Sequence, residues 1–84
     1  MDYLFTFETT HYAISAENLL VAEMPVKVMA LPSSIGSGCG ICLRINELNV
    51  EKAKKILKDS AVKVKNIYEI SQNDNGKRSY KLWN

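Results

Sequence analysis

The chain predicts an α+β fold with elements in the order β-α-β-β-α-β, and three observations carry that prediction. Apolar residues alternate with period two in short stretches and recur at helical spacing in two longer ones. Pro32, three serines and three glycines gather between those stretches, in LPSSIGSGCG. The length of 84 residues suits one small domain. Hydrophobic residues at 46% and charged residues at 24% give a globular composition, not a disordered one.

Each element follows from its residues. Tyr3–Phe7 (YLFTF) is aromatic and β-branched, the signature of a buried strand. Thr9 and Thr10 are N-cap residue types, and a helix pattern runs from His11 to Glu23. Ala13, Ala16, Leu20 and Met24 form its apolar face, and Pro25 stops it. Val26–Leu31 alternates as a strand with Val26, Val28 and Ala30 on one face. Ile41–Ile45 alternates again, placing Cys42 and Arg44 opposite Ile41, Leu43 and Ile45. Asn49 opens a second helix over Val50–Asp59, with Leu48 positioned as a hydrophobic staple against Ala53. Ala53, Ile56 and Leu57 are its buried stripe, and Val64–Ile70 is the next strand. In the tail, Asn75-Gly76 is a hairpin-turn dipeptide and Arg78–Trp83 alternates as a fifth, edge strand. For this order and length the expected architecture is a ferredoxin-like sandwich, two helices on one face of an antiparallel sheet. Residues 1–70 form that domain and 71–84 extend it as a hairpin.

Charge and hydropathy exclude several functions. A net charge of +2 is too slight to argue for nucleic acid, and no apolar run approaches the ~20 residues of a membrane helix. The start MDYLFTF has an acidic second residue and no basic segment, unlike a secretory signal. The expected compartment is therefore the reducing cytoplasm, where two cysteines serve better as free thiols than as a staple.

Those two cysteines stand in GSGCGIC, residues 36–42. In the expected topology the loop between strands two and three emerges at the same sheet end as the start of the first helix. Cys39 is thereby brought toward Thr10 and His11. A helix N-terminus and a nearby histidine both favour a thiolate. Gly38 and Gly40 leave backbone N–H groups unshielded and permit positive φ, as an anion nest requires.

Blander readings accompany each residue. Cys39 is then a small loop residue without chemistry, and His11 an exposed first-turn side chain. Cys42, fixed on a strand, is either a half-buried small hydrophobe or a resolving thiol. Zinc needs four ligands, and the chain offers two cysteines and one histidine, so a dimer would have to complete the set. Thioredoxin-like chemistry expects C-x-x-C to open a helix, whereas this pair enters a strand. The loop lacks the G-K-[ST] ending of a phosphate loop. Lys52, Lys54, Lys55 and Lys58 read as a solvated helix face. Arg78, Lys81 and Trp83 read as a partner surface or a cation-blunted sheet edge.

YLFTF, TTHYAISAENLL, LPSSIGSGCGICLRI and VKVKNIYEI together resemble a selenium/sulfur carrier-like family of small bacterial and archaeal proteins. The resemblance spans about residues 3–70. Its most specific parts are Ser37-Gly38-Cys39-Gly40 and Thr10-His11. It implies that Cys39 is a carrier thiol, loaded as a persulfide or selenenyl sulfide by a desulfurase-type donor and unloaded by an acceptor thiol protein. Cys42 and His11 would assist, Thr10, Ser37, Gly38 and Gly40 would shape the loop, and no cofactor is implied. The alternative is a non-catalytic interaction or regulatory module with incidental thiols.

Overall fold

Strand β1 (Asp2–Thr6) is the centre of a five-stranded sheet ordered β2-β3-β1-β4-β5, every neighbouring pair antiparallel. The computed structural model describes residues 1–36, 39–72 and 74–83. The remaining strands are β2 (Lys27–Ala30), β3 (Ile41–Asn46), β4 (Asn66–Gln72) and β5 (Arg78–Leu82). Helix α1 (Thr10–Leu20) joins β1 to β2, and α2 (Val50–Asp59) joins β3 to β4.

Alternation along the central strands builds two apolar layers. Tyr3, Phe5, Phe7, Leu43, Ile45 and Ile67 point to one face and share a core with Ala13, Ala16 and Leu20 of α1. Val50, Ala53 and Leu57 of α2 close the same core, so both helices cover one face. The alanines let α1 lie close to the sheet. The opposite face carries no helix, yet Leu4 and Cys42 on it are fully buried. Met29, Leu31, Ile35, Tyr68 and Tyr80 pack against them.

Helix α1 starts as expected: the Thr9 hydroxyl accepts the Tyr12 N–H at 3.2 Å. It ends earlier than the apolar spacing suggests. The N–H groups of Glu23 and Met24 both return to the Leu20 carbonyl, turning the chain before Pro25 while Met24 stays buried. The staple expected of Leu48 does not form, because that side chain is 87% exposed. Its N–H is held by Asn46 Oδ1 and the Asn49 N–H by the Asn46 carbonyl, a turn that aims Leu48 at solvent. Strand β4 begins at Asn66 rather than Val64.

The tail is tied to the sheet. Strand β5 pairs along β4, Gly76 takes φ +78 in the connecting turn, and the Trp83 N–H donates to the Ile67 carbonyl at 2.8 Å. The Trp83 ring lies 4.8 Å from that of Tyr3, and Lys54 Nζ sits 4.7 Å above it. Trp83 is therefore engaged within the chain, and Lys54 is half-buried rather than fully solvated. Among the described residues, no helix is long and apolar enough to cross a membrane.

Candidate functional site

The C-terminal end of β1 organises the site. Thr6 lies opposite Cys42 of β3 on one side and Asn66 of β4 on the other. The next residue, Phe7, accepts the Cys39 N–H on its carbonyl at 2.9 Å. Three residues further on, α1 begins at Thr10. Cys39 and the start of α1 thus share one end of the sheet, as the β-α-β-β order requires.

Cys39 is half-buried and packs against the helix-side core. Its Sγ donates to the Ile41 carbonyl at 3.2 Å. That bond belongs to the thiol, since a thiolate has no proton to give. Thr10 and His11 are exposed in the first turn of α1. Among the described residues the imidazole faces Tyr12, with centroids 6.2 Å apart, and it is not hydrogen-bonded to Cys39.

Cys42 occupies a different environment three residues along. It points to the helix-free face, is fully buried, and aims Sγ at the Ala30 carbonyl at 3.8 Å. Burial pushes its pKa up to about 11, and the neighbouring Cys39 adds to the rise. Near neutral pH it therefore stays protonated. Both cysteines are free thiols.

The loop between β2 and β3 is pinned from both sides of the sheet. Leu31 and Ile35 pack over the Cys42 cluster, whereas Cys39 packs on the helix side. The Leu31 N–H donates to the Gly40 carbonyl at 3.0 Å and closes the loop's base. Ser37 and Gly38 lie outside the described residues. Gly40, expected to permit positive φ, does not use it. Among the described glycines that geometry occurs at Gly36 (φ +71) and Gly76. A Cβ on Gly40 would meet nothing within 4 Å, so its surroundings are open.

Two neighbours escaped the sequence reading. Thr6 is buried, and its hydroxyl donates to the Asn66 carbonyl and accepts the Asn66 N–H, both at 3.2 Å. Lys65 donates its N–H to the Thr6 carbonyl and places Nζ 3.7 Å from Glu8. Parity along YLFTF marks Thr6 as opposite to Phe5 and Phe7, but its partner is set by a pairing sixty residues away. Among the described residues, no three His, Cys, Asp or Glu side chains form a group that could hold a metal ion.

Searches of curated proteins and of solved structures return no match to this chain. A family model does match: residues 2–69, from β1 through most of β4, fit the family described as "Putative Se/S carrier protein-like". The match includes Cys39 and both helices and stops short of β5, and by it the chain belongs to that Se/S carrier-like family.

Proposed function

We propose that this protein is a sulfur or selenium carrier that holds its cargo on Cys39. The observation that carries the reading is the contrast between its thiols. Cys39 is accessible in part at a sheet end beside a helix start, while Cys42 is sealed on the opposite face. Family membership supplies the class of cargo.

In the proposed cycle Cys39 loses its proton, leaves the Ile41 carbonyl and attacks the outer sulfur of a donor persulfide. A bond forms between Cys39 Sγ and that sulfur as the donor's S–S bond breaks, releasing the donor as a thiolate. An acceptor thiolate then attacks the same outer sulfur and displaces Cys39. Nothing is oxidised or reduced overall, and no cofactor is required. With selenium, the equivalent species is a selenenyl sulfide. The α1 N-terminus and exposed His11 favour negative charge at this end of the sheet. The open space at Gly40 admits a partner's thiol.

The strand order of β1 to β4 supports the ferredoxin-like reading, with β5 added at the β4 edge. A reducing cytoplasm is the compartment in which such a thiol stays available. The test is intact mass after incubation with a cysteine desulfurase and cysteine. The protein should gain the mass of one sulfur atom, lost on reduction with dithiothreitol. No gain, or an unchanged gain in Cys39→Ser, refutes the assignment.

A further inference from the structure

A groove of about 640 Å³ opens between α2 and the segment leading into β4. Its floor is apolar, formed by Leu57, Val62, Val64 and Ile67. Lys55 and Lys58, spaced three residues apart on α2, stand on one wall, and Lys63 stands on the other. All three are exposed and make no ion pair among the described residues, in contrast to Lys52 with Glu23 and Lys65 with Glu8. Glu51 is the one carboxylate among the described lining residues.

We propose that this groove docks a partner protein through an acidic peptide segment with interleaved apolar side chains. The volume lies within the range of sites that hold ligands. The apolar floor supplies burial, and charge complementarity selects the sign. Three separated cations on two walls suit successive carboxylates along a chain, whereas a single anionic headgroup would engage one wall. Position supports a protein occupant as well. The groove and Cys39 flank the same end of β1, since Lys65 pairs with Thr6 on one side and Cys39 with Phe7 on the other. Two strand spacings, about 10 Å, separate Lys65, the residue after groove-lining Val64, from Cys39 across β1. The docking itself does not depend on thiol chemistry.

The experiment titrates the ¹⁵N-labelled full chain with a short synthetic peptide in which glutamates alternate with leucine and phenylalanine. Amide shifts should move at residues 55–58 and 61–67. Replacing the apolar residues of the peptide by serine should weaken binding at least about tenfold. The combined variant Lys55→Glu, Lys58→Glu, Lys63→Glu should weaken it by about tenfold or more. Those side chains are exposed, so the amide spectrum should otherwise remain folded. Cys39→Ser should bind as the parent does, which separates this docking from the carrier chemistry. The absence of shifts at the groove, or an affinity unchanged in the triple variant, overturns the proposal. Shifts produced by dodecanoate but not by the peptide also overturn it and reassign the groove to small anionic amphiphiles.

Discussion

Cys39 and Cys42 are three residues apart and share almost nothing else. Cys39 sits before β3, half-buried, with its backbone fastened to Phe7. Cys42 sits within β3, fully buried beneath Leu31 and Ile35 on the helix-free face. Cys42 follows the strand's alternation to the helix-free face, whereas Cys39, just ahead of the strand, packs on the helix side, so the two thiols belong to different apolar clusters. A C-x-x-C sequence is therefore no guarantee of a working pair. Here one thiol is half-buried and reachable in part, and the other is a packing residue beneath the loop that carries the first.

The sharpest way to break that contrast is by removal. Cys39→Ser should abolish sulfur loading outright, whereas Cys42→Ser should retain measurable loading, both read by intact mass. Loss of loading in Cys42→Ser with a folded protein would exchange the roles.

A second prediction uses pH. The folded-state pKa of Cys42 lies above that of an unfolded thiol, so the unfolded chain loses its proton first as pH rises. The folded state then binds more protons, and stability falls with pH. The decline should run from the ordinary thiol range near 8.5 to about 11, the folded value. It should amount to at most about 3 kcal/mol. Denaturant unfolding of parent and Cys42→Ala at several pH values isolates this part, because tyrosines and lysines are common to both. Identical pH dependence would show that Cys42 is not sequestered.

The smallest effect concerns His11. Its side chain is exposed and not bonded to Cys39, so His11→Ala should cost about 0.5 kcal/mol or less of stability. Cys39 alkylation at neutral pH should slow by no more than about twofold, the scale of one exposed charge. A much larger slowing would mean that the imidazole meets the thiolate in a conformation reached after deprotonation.

What was legible in the sequence follows from repetition. Ala13, Ala16 and Leu20 restate one face of α1, and Phe5, Phe7, Leu43 and Ile45 restate one face of the sheet, so isolated exceptions do not obscure the pattern. Leu48 is a single residue whose direction depends on the Asn46 turn, and its exposure could not be read from spacing. Glycine-rich composition marked the loop, but which glycine takes positive φ is decided by local chain direction, and Gly36 does so among those described there. Alternation correctly separated Cys42 from Leu43. Its complete burial came from Leu31, Ile35, Tyr68 and Tyr80, distant residues that cover a face without a helix. The groove beside α2 was hidden for the same reason: Lys55, Lys58 and Lys63 look like ordinary solvated charges until Val62 and Val64 are seen between them.

The most direct measurement is the order in which the two thiols are alkylated in the native protein. Brief exposure to iodoacetamide at neutral pH, followed by denaturation, a second label and peptide mass mapping, gives a rate for each cysteine. Cys39 should take the first label, and Cys42 should take the second, its native rate lower by orders of magnitude because it is both buried and protonated. Cys42 labelled in the native state as fast as Cys39 would contradict the division of roles from which the carrier assignment is drawn.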